Sequence, residues 1–238
     1  MRLDQRVEVT GGESETPGPG TTSTTLQVLT RSIVQRSEPN WTTVLIITDS
    51  VRVTGDAPLP AWAEQTRRSL TGQRMRLRIA PDGHSEVVEG GAEGAEKAEE
   101  LRAVLAQMPA MLPRSAIQVG DTWMHILPLP APAPGSGGLR GGTIRATFTF
   151  DSVGRGGDLA YVSMRGVLAR ETAAAESTAP GYEMSGTLLG SLVVDRRRGW
   201  LTSSRTTLVV QTVIVPPRGV SAKPMKVRMK VSQWLRAL

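Results

Sequence analysis

The chain contains no cysteine. That removes disulfides, thiolate nucleophiles and Cys-ligated zinc together. It leaves the compartment open, because a chain long enough to build a core can be secreted without disulfides. Histidine is almost as scarce, with only two. His84 and His125 lie far apart in sequence, whereas a histidine metal site needs two or three converging ligands. No metal and no cofactor are expected. Aromatic residues make up 4% of the chain, so a core must be built from Val, Leu, Ile and Met with a few Trp. No window approaches the ~18 apolar residues of a membrane-spanning helix. The basic start Met1-Arg2-Leu3-Asp4-Gln5-Arg6 is followed by no apolar run, so no signal peptide is read there. The expectation is a soluble chain. It is periplasmic or in the cell envelope if an export signal is missing from this sequence, and otherwise cytoplasmic.

The common catalytic frames are missing too. No serine sits in a Gly-x-Ser-x-Gly elbow. Gly154-Arg155-Gly156-Gly157-Asp158 links two strands, not a strand to a helix, and fits neither phosphate-loop nor dinucleotide spacing. Asp121, Asp151, Asp158, Glu171, Glu183 and Asp195 could in principle pair for acid–base work. Most stand where a turn is expected, and turns favour Asp for their own reasons. The reading is a protein that is not an enzyme. No tandem Arg-Gly tract or aromatic-studded basic strand matches a nucleic-acid module, so nucleic acid is not an expected partner.

What the chain has is strands. Residues 74–79 read Arg-Met-Arg-Leu-Arg-Ile, strictly alternating, with Met75, Leu77 and Ile79 toward a core. Pro81-Asp82-Gly83 turns the chain and residues 85–89 return. Residues 143–151 alternate equally well, with Ile144, Ala146, Phe148 and Phe150 on one side and Arg145, Thr147 and Thr149 on the other. Further strands are predicted over 4–10, 25–35, 41–53, 159–171, 182–194, 200–215 and 225–231. The apolar run Val44-Leu45-Ile46-Ile47 predicts burial on both faces. Residues 10–25 and 127–142, rich in Gly, Pro and Ser, are predicted to be flexible loops.

Helical signals are few. Residues 61–70 predict a short helix. Residues 92–108 predict the main one, with Leu101, Val104, Leu105 and Met108 at helical spacing and Pro109 stopping it. Between that helix and the later strands lies a hinge at 109–123. There Gly120 and Asp121 form a turn and Trp123 anchors the strand that follows. The length suits one β-rich domain. Its halves, 1–108 and 109–238, each hold a strand–turn–strand unit, which suggests a duplicated β unit. The fold class expected is mainly β: an antiparallel large curved sheet or open barrel with one main helix.

The net charge is +6, unevenly spread. Glu86, Glu89, Glu93, Glu96, Glu99 and Glu100 make an acidic block, and the C-terminal tail is basic. In the last strand Lys226, Arg228 and Lys230 alternate with Met225, Val227, Met229 and Val231. This candidate basic surface has two readings. It protects an edge strand from pairing with other chains, the favoured reading. Or it makes weak contact with an anionic surface.

Leu112-Pro113, followed by Val119-Gly120-Asp121-Thr122-Trp123 and long alternating strands, resembles a family of uncharacterised bacterial proteins. Its members are β-rich, exported or lipid-anchored, and share this element. The resemblance implies an envelope location and carries no catalytic residues. Together with Leu- and Met-rich inner faces, it leads to the expected function: a non-enzymatic cell-envelope protein that binds an apolar ligand or an envelope protein partner. The alternative is a structural or interaction module with no small-molecule ligand.

Overall fold

Residues 1–12, 21–56, 61–81, 84–90, 112–113, 115–128, 142–173, 181–217 and 223–238 are described in a computed structural model. The expected main helix, 92–108, lies outside the described residues. So do most of the two expected loops and the centre of the Pro81-Asp82-Gly83 turn. Strands run further into both loops than expected. β1 (Arg2–Gly12) and β2 (Thr21–Ser37) extend to either side of the first, where the hydroxyls of buried Thr10 and half-buried Thr21 lie 3.0 Å apart.

The remaining elements follow the alternation closely. They are β3 (Thr42–Gly55), α1 (Ala61–Leu70), β4 (Arg74–Ile79), β5 (Ser85–Gly90), β6 (Thr122–Pro128) and β7 (Thr143–Gly154). After a 3-10 turn come β8 (Leu159–Ala173), β9 (Gly181–Asp195), β10 (Trp200–Val215) and β11 (Met225–Arg236). α1 is short and polar. Its Glu64 carboxyl is held down to about 2 by hydrogen bonds from Arg67 and then Arg68.

All eleven strands form one antiparallel sheet in the order β5-β4-β3-β2-β1-β11-β10-β9-β8-β7-β6. The chain enters at the middle, steps outward to one edge, resumes at the other edge, and steps back to the middle. Every neighbouring pair in a ring is present except β5–β6, so the sheet is an open one and not a closed barrel. The two halves expected from the sequence form the two flanks of this sheet. Their seam is the β1–β11 ladder, which runs from Arg2↔Arg236 to Gly12↔Lys226. The segment read as a hinge leads into edge strand β6.

This order overturns the edge-protection reading of the last strand. β11 is hydrogen-bonded on both sides, to β1 and to β10. The true edges are β5 and β6, and both are short. Glu86 and Glu89 charge one of them, and Pro128 ends the other. Short length, charge and proline each discourage edge-to-edge pairing.

Register assigns every strand residue to a face, because directly opposite residues in an antiparallel ladder point the same way. One face carries the buried cluster of Ile144, Ala146, Phe148, Phe150, Val162, Met164, Leu168, Tyr182, Met184, Leu188, Leu192 and Val210. We call it the inner face. A β-bulge at Asp49, where Leu29 and Thr30 face Ser50 and Thr48, shifts the alternation in β3. Val44 and Val51 therefore both point inward although their numbers differ in parity. Residues 44–47 are not buried on both faces as expected. Val44 is fully buried, whereas Leu45 and Ile47 lie on the outer face and stay partly exposed.

Candidate functional site

The inner face has two zones. Under β7–β10 it is packed. Phe148 is 0% exposed. Trp123 stacks on it from β6 at 5.6 Å between ring centroids, and His125 meets it edge-on at 5.7 Å. The Nε2 atom of His125 is buried and has no hydrogen-bond partner. An unmade bond of this kind costs ~1–3 kcal/mol.

Across the middle of the sheet the inner face still carries aliphatic side chains, but they are only partly covered. Val7 lies opposite Val231, which lies opposite Leu208. Val9 lies opposite Met229, and Leu3 opposite both Leu235 and Val28. All seven of the residues from β1, β2 and β11 in these rows are partly exposed. Three adjacent strands span about 10 Å, and Leu3 to Val9 about 20 Å along the strand. The result is two aliphatic patches, Val7 and Val9 with Val231 and Met229, and Leu3 with Leu235 and Val28, separated by a polar row in which Gln5 lies opposite Gln233.

The residues singled out from the sequence fall in two places. Gly120 and Asp121 build the turn into β6. Asp121 Oδ2 accepts from the Gln118 N–H at 2.7 Å, and the Gly120 N–H donates to the Phe150 carbonyl at 2.7 Å. Gly120 sits at φ +97°, a left-handed conformation that a side chain strains. A Cβ there would meet nothing within 4 Å, so the strain is purely one of backbone. Gly120→Val is expected to cost about 1–3 kcal/mol and to lower Tm by several degrees in a thermal melt. A melt matching wild type would remove the turn from any structural role. Trp123 is partly buried and packs against the inner-face cluster.

Lys226, Arg228 and Lys230 lie on the outer face, near the middle of the sheet. The row is partly neutralised. Glu8, directly opposite Lys230, accepts from it at 3.0 Å and also pairs with Arg6 at 3.1 Å. The Lys230 hydrogen bond is the main cause holding the Glu8 carboxyl below its ordinary value, against a smaller opposing effect of burial. Nearby, Arg205 and Arg236 stand over Trp234 at 4.6 and 5.0 Å from its ring centroid.

Sequence reasoning missed a second outer-face cluster. Met124, Ile126, Val167 and Leu189 are 57–63% exposed. Ile126, Val167 and Leu189 line a depression of about 640 Å³ with Arg145 and Arg165, and Met124 lies opposite Thr147 on its rim strand. Their alternation was readable, but nothing in it says that the exposed row carries large apolar side chains.

Among the described residues no three His, Asp or Glu side chains converge as a metal site, and His84 and His125 stand near opposite edges of the sheet. No described helix is long and apolar enough to cross a membrane. The chain matches no family model and no curated protein.

Proposed function

We propose that this chain is a non-enzymatic binding protein of the bacterial cell envelope that holds an apolar ligand, such as a lipid acyl chain, against the inner face of its open sheet. One observation carries the reading. Aliphatic side chains continue on this face across β1, β2 and β11, interrupted by the Gln5–Gln233 row, and are left partly uncovered. An extended apolar ligand would remove that surface from water, at about 25 cal/mol per Å². The open sheet allows entry without breaking a closed ring of hydrogen bonds. The envelope assignment rests on the Leu112-Pro113 and Val119-Gly120-Asp121-Thr122-Trp123 element.

The test is direct. Protein stripped of lipid is incubated with a bacterial membrane extract, reisolated, and its bound molecules identified by mass spectrometry. Wild type is expected to retain lipid in a fixed ratio. Val7→Asp places a charge among these aliphatic side chains and is expected to abolish retention. Met229→Gln, a milder change, is expected to weaken it if Val7→Asp does not fold. If stripped wild type retains nothing, the ligand reading falls and a structural or interaction module takes its place.

A further inference from the structure

The outer face of β6–β9 joins exposed apolar side chains to two arginines that make no ion pair with any described residue. Register places the group compactly. Ile126 lies opposite Arg145, and Arg145 opposite Val167. Arg165 lies opposite Leu189 on the next strand. Ile126, Val167 and Leu189 are 60%, 63% and 57% exposed, well beyond an incidental surface residue. No carboxylate lines the depression they share.

Several other cations on this face are neutralised. Arg2, Arg6, Arg31 and Lys230 each hold an acid on their own or a neighbouring strand, at 2.9 to 3.1 Å. Arg145 and Arg165 make no ion pair with any described residue. They are exposed, charged and free to take an external anion. The cationic surface continues past β10. Leu189 lies opposite Thr207, and Arg205, two residues along the same face, stands over the partly exposed Trp234.

We infer that this face docks on an anionic lipid bilayer. Arg145 and Arg165 would bind lipid phosphates while Met124, Ile126, Val167 and Leu189 enter the headgroup layer. The chemistry favours a bilayer over the other acidic surfaces. Membrane-surface proteins combine apolar side chains that penetrate with cations that meet anionic headgroups. Tryptophan settles at the same depth, with its ring apolar and its N–H wet. A single-stranded nucleic acid wants several aromatic platforms, and this patch offers aliphatic side chains instead. The patch lies on the opposite face from the proposed ligand-binding surface, so either can fail without the other.

Vesicle co-sedimentation of the full chain tests it, with phosphatidylglycerol mixed into phosphatidylcholine against phosphatidylcholine alone. Wild type is expected to bind the anionic vesicles, and to bind them less at high salt. Arg145→Gln with Arg165→Gln is expected to weaken binding roughly 30-fold, about fivefold per cation lost at the surface. Ile126→Ser with Leu189→Ser should remove the binding that survives high salt. All four positions are exposed, so these variants are expected to melt like wild type, which a thermal scan verifies. No wild-type binding to anionic vesicles overturns the proposal. So does vesicle binding that all the variants retain. If gel filtration instead shows a dimer that Ile126→Ser with Leu189→Ser dissociates, the patch is a contact between copies and the proposal also falls. Tight binding of an oligonucleotide with no vesicle binding overturns it in favour of nucleic acid.

Discussion

Phe148→Ala is expected to destabilise the protein by about 3–5 kcal/mol, the range for removing a buried Phe side chain. Phe148 is completely buried. It lies opposite Met164 on β8 and Trp123 on β6, so its ring bridges an edge strand to the packed core. The loss therefore has three parts: the transfer free energy of the ring, the cavity left behind, and the stacking of Trp123 at 5.6 Å. Aromatic pairs of this kind add ~0.5–1.5 kcal/mol beyond area burial. β6 is short and paired on one side only, so it has little else to hold it. Urea unfolding followed by Trp fluorescence measures the cost. The variant should also redden the emission of the folded state, as Trp123 loses its cover. A loss below about 1 kcal/mol would mean that the β6–β7 core is not what holds this flank together.

The second large effect is expected from a single methyl group. Gly186→Ala should cost about 3 kcal/mol, the upper end of overpacking penalties, and Gly186→Val more. Gly186 lies opposite Val210 on β10 and Leu168 on β8. A Cβ built there would come 2.5 Å from the Val209 carbonyl oxygen and 3.3 Å from the Val210 Cα. Both are backbone atoms held in the β9–β10 ladder, so neither can step aside without breaking hydrogen bonds. Gly11→Ala is the control. Its Cβ meets nothing within 4 Å, so the same chemical change should shift stability by less than about 0.5 kcal/mol. Equal melting temperatures for the two variants would refute the close approach at Gly186. Small residues at Ala146, Gly166, Gly186 and Gly190 alternate with large ones over the inner face. This lets neighbouring strands carry Phe148, Met164 and Leu168 without crowding.

The strands themselves were legible because alternation is local. In β7 the side chains of Ile144, Ala146 and Phe148 are buried and those of Thr143, Arg145 and Thr147 exposed, as the period of two demands. The 74–89 hairpin was legible because the alternation over 74–79 and its return over 85–89 are close in sequence, and β4 pairs with β5. Gly120 was legible because its setting, before an Asp and an anchoring Trp, asks for a turn. The main helix expected over 92–108 falls outside the described residues.

The bulge at Asp49 was hidden for the opposite reason. The extra residue is defined by the partner strand, where Leu29 and Thr30 are consecutive while Ser50 and Thr48 are not. Burial was expected on both faces of residues 44–47 because a run of four apolar residues does not say whether its second row is covered; Leu45 and Ile47 stay partly exposed.

The residues alone determined that this chain is mainly antiparallel β, where most of its strands lie, and which side chains share a row. Only the tertiary structure decided which strands are edges and which row meets water. Pairing β1 with β11 joins segments more than two hundred residues apart, and no turn between them announces it. A cationic, alternating strand has the same sequence signature at an edge as at the centre, because its own periodicity does not depend on how many neighbours it has. That is why Lys226, Arg228 and Lys230 looked like edge protection and lie mid-sheet. It is also why Arg145 and Arg165, with their apolar neighbours, emerged as a surface only once four strands had been laid side by side.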